Sequence, residues 1–229
     1  MAKKNKKECD LKSCLLCRQC LSSWLPAIEA NRKSFFYKKG DILFNEGEEV
    51  KGMFFIETGV VKVHKKWGDN KELILRIAGN GDIVGHRGLG NDTIYPVSGT
   101  ALEPTAVCFV DLTFFNDTLM VNHEFLYKLM MFFASELKES EKRMRNLAHM
   151  SVKGRIANAI LTLKQKFSVK PNGQLGITIS RQDFASYNGA TYETVFRMMN
   201  EMVKEKAIKL EGKHIMIVSE NKLLEYIKN

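Results

Sequence analysis

Eleven of the sixteen glycines fall between Gly40 and Gly99. They separate short runs rich in β-branched and aromatic residues, "DILF", "GMFFI", "VVKVH", "ELILRIA" and "TAVCFVDL". Short strands punctuated in this way predict an all-β barrel or roll. Within it, "VVKVHKKWGDNKELILRI" predicts a hairpin turning at Gly68, Asp69 and Asn70. After Asp117 the glycines and the alternation both stop. Leu126, Met130, Phe133, Leu137, Ser140, Met144, Leu147 and Ser151 then follow by alternate steps of four and three, the a/d rhythm of a coiled coil. A long helix with a narrow apolar stripe needs a partner helix. Leu126, Met130, Phe133, Leu137, Met144 and Leu147 are therefore expected to form a dimer seam, the alternative being that the stripe packs on the chain's own β-domain.

At Ser151, a candidate N-cap, the pattern restarts with "GRIANAILTLKQKF", which places Ile156, Ala159, Ile160 and Leu163 on one helix face until "KPNG" ends it. A domain boundary is expected near residues 148 to 152. Beyond it, "TISRQDFASYNGATYETVFRMMNEMVKEKAI" reads as two helices joined at Asn188-Gly189. Ser180 with Asp183 resembles a capping box for the first, and Thr191 caps a second running to about Lys206. Two helices joined by a short glycine turn form a helix-turn-helix, whose second helix enters the DNA major groove.

That second helix sorts by face. Val195, Met198, Met199, Met202 and Val203 form its apolar stripe, which leaves Tyr192, Glu193, Phe196, Arg197 and Asn200 outward. Arg197 can donate two parallel hydrogen bonds to guanine, Glu193 can accept from cytosine N4, and Phe196 can lie against a thymine methyl. The bland alternative makes Glu193 and Arg197, four apart, a helix ion pair. "AIKLEGKHIMIV" then alternates around Glu211-Gly212-Lys213 as a β-hairpin wing, with Lys213 in reach of phosphate. Ser180, Arg181, Gln182, Thr191 and Tyr192 complete the candidate DNA contacts.

The charge distribution is consistent with a polyanionic partner. The chain carries +9, of which residues 151 to 229 hold +6 and residues 1 to 20 hold +4, with a near-neutral middle. No signal-peptide pattern follows "MAKKNKK", and no apolar run approaches the roughly 18 residues of a membrane span, so a cytoplasmic protein without a membrane partner is expected. Cytosolic thiols stay reduced. "CLLCRQC" places Cys14, Cys17 and Cys20 at one repeated spacing, with Cys9 upstream and Cys108 in the β-region. By themselves these thiols leave three readings open: an iron-sulfur cluster, a zinc site, or packed core side chains. The five histidines show no metal-ligand spacing. An iron-sulfur or thiol redox enzyme would need a poised acid, base or nucleophile, and no such constellation is present.

The order of parts and the stretches "YKKGDILFNEGEEVKGMFFIETGVVKV", "GNGDIVG", "ALEPTAVCFVD" and "ISRQDFASYNGATYETVFRMMNEM" resemble the CRP/FNR family of transcriptional regulators. The resemblance covers about residues 14 to 229. It implies an α+β fold: a jelly-roll-like β-roll of the cyclic-nucleotide-binding type, a long dimerisation helix, and a C-terminal winged helix-turn-helix. The divisions expected are a Cys-rich segment at 1–25, the sensor roll at 26–120, the dimerisation helix at 121–150 and the DNA-binding domain at 151–229. The resemblance further implies a homodimer on a near-palindromic double-stranded operator, contact with RNA polymerase, no enzymatic activity, and DNA reading by Glu193 and Arg197. Phe196 departs from the small residue often found at its position in the family.

Nucleotide-binding members of the family hold a phosphate with an Arg-Ser pair and a ribose with Glu. Here His86 stands at the Glu and Tyr95-Pro96 at the Arg-Ser, which argues against cyclic AMP, although Arg87 could approach a phosphate from another direction. His86, Arg87 and Tyr95 are the candidate lining of any ligand pocket in the roll. In the oxygen-sensing branch, three N-terminal cysteines and one in the roll hold a cubane cluster. That resemblance makes Cys14, Cys17, Cys20 and Cys108 candidate ligands, with a shorter gap before the third cysteine than the family pattern. The rival function is a regulatory module for a cyclic nucleotide or another small ligand, with structural cysteines.

Overall fold

The computed structural model describes residues 3–4, 14–68 and 71–228. Asp69, Asn70 and Cys9 lie outside the described residues. Three short elements open the chain: β1 (Lys3–Lys4), α1 (Leu15–Gln19) and, after a 3-10 turn at Ser22–Trp24, α2 (Leu25–Asn31). The strands β2 (Lys33–Tyr37), β3 (Ile42–Phe44), β4 (Gly52–Thr58), β5 (Val61–Trp67), β6 (Lys71–Ala78), β7 (Ile83–Val84), β8 (Ser98–Ala101) and β9 (Thr105–Asp111) follow. They form one five-stranded sheet in the order β1-β2-β9-β4-β7 and one four-stranded sheet in the order β3-β8-β5-β6. The roll expected from the glycine spacing is this pair of sheets.

Alternation along β4 and β9 decides what each face of the larger sheet carries. Phe54 pairs with Phe109, and Phe55 with Cys108. Residues paired across antiparallel strands share a face, and their neighbours point the other way. Phe54 stacks on Phe44 of the second sheet at 5.6 Å, so the Phe54–Phe109 face fills the roll. Phe55 meets Phe115 instead, and Phe115 meets Phe125. The Phe55–Cys108 face therefore supports α3 (Leu112–Val121) and the long α4 (His123–His149).

The N-terminal segment joins this helical layer. Trp24 stacks on Phe114 at 6.1 Å and its indole N–H donates to Thr118. The Leu21 amide donates to Asn122 Oδ1 at 2.9 Å, and the Leu15 amide donates to the Gly81 carbonyl. Within "CLLCRQCLSSWL", Cys14 is the N-cap of α1, its sulfur accepting from the Cys17 amide, and Cys20 ends the helix.

The heptad stripe on α4 is only partly outward. Leu126, Met130, Leu137 and Met144 are 43 to 61% exposed, while Phe125 and Leu129, one face round, are buried. Phe133 packs against the His86 ring, and Leu147 lies against Gly189. A straight helix drifts about 20° per heptad from a strict seven-residue repeat. The 126-133-140-147 column drifts toward the buried face, and this explains why its later members turn inward.

Ser151 caps α5 (Val152–Phe167), accepting from the Gly154 amide at 3.1 Å, and Ile156, Ala159, Ile160 and Leu163 are buried as the periodicity predicts. Then come α6 (Arg181–Asn188), α7 (Tyr192–Lys204), the hairpin β10 (Ile208–Glu211) and β11 (His214–Ile217), and α8 (Glu220–Lys228). The chain divides into two compact units. One comprises residues 1–65 and 75–137; the other comprises 66–74 and 138–229, and so includes the tip of the β5–β6 hairpin and the end of α4. Among the described residues no helix is long and apolar enough to cross a membrane.

Candidate nucleic-acid interface and sensory core

The helix-turn-helix is held by its own caps. Ser180 Oγ accepts from the Asp183 amide at 3.0 Å and donates to the Asp183 carboxylate. Thr191 Oγ1 accepts from the Thr194 amide at 3.3 Å, satisfying one of the N–H groups that a helix start leaves unpaired. Between the helices Gly189 adopts φ +59°, and a Cβ there would sit 2.7 Å from Leu147 Cδ2. Only a residue without a side chain meets both conditions. Arg143 clamps the same region: its guanidinium lies over the Tyr187 ring at 4.5 Å and donates to the Tyr187 and Ile74 carbonyls.

Of the candidate DNA contacts, three are engaged in building the motif. Ser180 and Thr191 are caps, and Arg181 donates to the Gly212 carbonyl at 3.0 Å, tying α6 to the wing. Burial lowers the Arg181 guanidinium from its ordinary pKa. The others face outward: Gln182, Tyr192, Glu193, Phe196, Arg197 and Lys213 are exposed, while Val195, Met199 and Met202 are buried beneath them. Among the described residues no ion pair joins Glu193 to Arg197. Their polar ends are therefore not spent on each other. Tyr192 and Phe196 stack with ring centroids 6.0 Å apart and planes 7° apart.

The roll places His86, Arg87 and Tyr95 in separate surroundings. Tyr95 is 3% exposed, stacks on Phe44 at 4.5 Å and donates to the Gly52 carbonyl at 2.8 Å. Its ring stands against Gly85 and Gly88, where added Cβ atoms would meet it at 3.3 and 3.2 Å. Burial raises its hydroxyl to about 12, so it stays a neutral donor. His86 is buried edge-on to Phe132 and Phe133. Arg87 Nη2 reaches Glu136 Oε2 at 3.1 Å, and Arg76 Nε reaches Glu136 Oε1 at 3.4 Å. A cyclic nucleotide does not fit this arrangement. Both nearby guanidinium groups are committed to Glu136, and Tyr95 fills the space facing the glycines.

Glu136 and Arg76 escaped the sequence reading. Arg76 had a signal, a cation inside the apolar strand "ELILRIA"; Glu136 is one acidic residue among several on a mostly polar helix and had none. Burial alone would raise the Glu136 carboxyl, but the His86 ring, Arg76 and Arg87 hold it down at about 2. Burial lowers His86 below the ordinary imidazole range, and its nearest carboxylate oxygen, on Glu136, lies 3.8 Å away.

Cys14, Cys17 and Cys108 are buried in the core of the first unit, and Cys20 packs partly against it. Burial first, then Cys14 nearby, raises the Cys20 thiol to about 12. Cys108 lies on the sheet face that carries the helices, as its Phe55 partner shows. Four soft thiols without an intervening carboxylate suit an iron-sulfur cluster as a donor set. Among the described residues, however, no three Cys, His, Asp or Glu side chains stand together at ligating geometry.

A β-roll, a long helix and a winged helix-turn-helix follow one another along the chain. Two family models match: a cyclic nucleotide-binding domain over residues 34–122 and a Crp-like helix-turn-helix domain over 154–226. The chain belongs to the CRP/FNR family of transcription regulators, which are not enzymes. It is 25% identical over 183 residues to transcriptional activator protein FnrA of Stutzerimonas stutzeri, covering 79% of this chain and 75% of that one. It is 25% identical over 189 residues to the CRP-like cAMP-activated global transcriptional regulator of Mycobacterium tuberculosis, covering 82% and 84%. Among solved structures, FixK2 from Bradyrhizobium japonicum superposes with a TM-score of 0.77 at 22% identity, covering 85% of this chain and 96% of that one.

Two pH dependences follow for the first unit. The unfolded chain protonates its His86 position before the folded one does, so this contribution is complete above about pH 6.5 and is lost as the pH falls below it. Glu136 adds stability that is present above about pH 4.5 and lost as the pH falls toward 2, worth about 2 kcal/mol after discounting for its partial exposure. Denaturant midpoints measured from pH 8 to 5 should fall for the native chain and stay flatter for His86→Phe; parallel curves would remove His86 as the source.

Proposed function

We propose that this chain is a homodimeric, sequence-specific DNA-binding regulator that recognises a near-palindromic operator through α7. The observation that carries this reading is the row formed by Glu193 and Arg197. Both are exposed on the second helix of a capped helix-turn-helix, and neither is paired with the other. An unpaired guanidinium and a carboxylate, one turn apart near a helix N-terminus, match the bidentate reading of guanine and the acceptance from cytosine N4. The net +6 charge of residues 151 to 229 supplies the phosphate attraction. Bound in the cytoplasm to DNA, the dimer would recruit or block RNA polymerase. Arg197→Ala should cost about 1 to 3 kcal/mol on a selected operator and relax preference at one base pair, read by titration of each operator variant. Equal weakening on random DNA would make Arg197 a phosphate contact instead.

The exposed Leu126, Met130, Leu137 and Met144 support pairing through α4. A parallel pair would set two α7 helices one DNA turn apart, about 34 Å. Leu137→Glu should give a monomer by analytical ultracentrifugation and lose tight operator binding, whereas an unchanged dimer would place the interface elsewhere.

For the signal, the reading is a redox- or nitric-oxide-sensitive cluster held by Cys14, Cys17, Cys20 and Cys108. The layout supports it: one ligand would come from the sheet and three from the turn of helix lying over the same layer. A cluster would supply a redox-labile cross-link, and these residues would tie the N-terminal segment to the roll beside α4. The burial of Cys14, Cys17 and Cys108 favours the second reading, structural thiols with a signal received elsewhere in the roll. Protein purified without oxygen should contain about four iron and four acid-labile sulfide per monomer. Cys108→Ala should abolish both. Absence of iron and sulfide from the native chain would select the structural reading.

A further inference from the structure

The far end of α7 carries a polar junction that base reading does not use. Glu205, the C-cap of α7, joins it to two other helices. Its Oε1 pairs with Lys153 Nζ of α5 at 2.6 Å, its Oε2 accepts from the Tyr226 hydroxyl of α8, and its backbone carbonyl accepts from Lys222 Nζ of α8 at 2.6 Å. Lys153 Nζ also lies over the Tyr226 ring, 4.4 Å from its centroid. Lys153 first, then Tyr226, hold the Glu205 carboxyl below its usual range. Burial first, then Glu205 beside it, raises the Tyr226 hydroxyl to about 12, which keeps it a donor. α8 is itself seated closely on α5: a Cβ at Gly154 would stand 2.7 Å from the Tyr226 carbonyl oxygen, Leu223 is fully buried, and Lys164 pairs with Glu220. Immediately beyond Glu205, Lys206 takes φ +55°, an uncommon conformation for a residue with a side chain. The Lys206 and Ala207 amides donate to the Val203 and Met202 carbonyls at 2.9 Å, and the Ala207 carbonyl accepts from the Val218 and Ser219 amides at 3.0 Å.

Stability does not account for this junction. The Glu205 side chain is 45% exposed, and exposed ion pairs add little to folding. Leverage does account for it. Thr191 holds the start of α7 and Glu205 its end, so releasing Glu205 lets the axis tilt about the cap. A tilt of about 5° would carry the tip of the Arg197 side chain through about 1 Å, since six residues at 1.5 Å each already separate it from Thr191 along the axis. Groups that recognise a ligand work only when held within about 0.5 Å of their productive geometry. We infer that Glu205 is a positioning residue: with Lys153 and Tyr226 it sets the angle of α7, and so the placement of Arg197, without itself touching DNA. This rests on the DNA-binding reading, and its test separates the two.

The probe is an operator selected by the full-length protein from random-sequence duplex DNA, with a shuffled duplex of equal length as the control. Glu205→Gln removes a negative charge, which by charge alone would tighten binding to any DNA. Positioning requires the opposite on the operator. Affinity there should fall about fivefold, the upper range for one exposed ion pair, while the shuffled duplex binds as before or more tightly. Tyr226→Phe removes the hydroxyl and no charge, and should weaken the operator alone by about twofold. Lys153→Glu combined with Glu205→Lys keeps the net charge and restores an ion pair between α5 and α7, so it should recover most of the affinity that each single change loses. Thermal unfolding should show all variants folded; if Glu205→Gln is not, Tyr226→Phe carries the comparison. Operator binding that is unchanged or tighter in the single variants, a parallel loss on both duplexes, or a swap without recovery would each overturn the positioning role while leaving DNA binding intact. Failure of the native chain to enrich any sequence would overturn both.

Discussion

Burying a carboxylate is tolerable only where cations and hydrogen-bond donors replace the water it gives up. Glu136 satisfies that condition in one place: Arg76 comes from β6, Arg87 from the turn after β7, and the His86 ring closes the site beside Phe132 and Phe133. The cluster sets the rotation of α4 within its unit. With Glu136, Phe125 and Leu129 directed inward, Leu126, Met130 and Leu137 must point outward. The dimer seam expected on this helix is thus the surface left over when a partly buried ion cluster has fixed the other face.

The same division of labour appears in the helix-turn-helix. Ser180, Thr191 and Arg181 are polar residues at the positions where DNA contacts are expected, yet the Ser180 and Thr191 hydroxyls and Arg181 Nη2 hydrogen-bond within the protein itself. That engagement is what makes the motif rigid. It leaves Gln182, Glu193, Arg197 and Lys213 as the polar groups facing outward, with the aromatic ridge beside them. Pre-organised side chains on a fixed helix lose less entropy on binding than side chains on a loop.

The roll matches the cyclic nucleotide-binding family model, and aromatic side chains pack within it. Tyr95 occupies the space against Gly85 and Gly88 and anchors to Gly52. The opposite face of the larger sheet carries the helical layer. There Cys108 and the N-terminal helices share a layer with α3 and α4.

The sequence by itself determined the order of parts and most of their faces. Glycine spacing announced the roll, Ser151, Ser180 and Thr191 announced helix starts, and the stripe Val195, Met199 and Met202 announced which side of α7 is buried. These are local signals, carried by residues within a turn or a strand of one another. Tertiary structure alone decided which polar residues remain free. Arg87 meets Glu136 across 49 positions, Arg181 meets Gly212 across 31, and Leu147 turns in against Gly189 because a straight helix drifts from a strict heptad. A side chain's charge is written in the sequence, but whether that charge is already spent depends on a partner that only folding brings within reach.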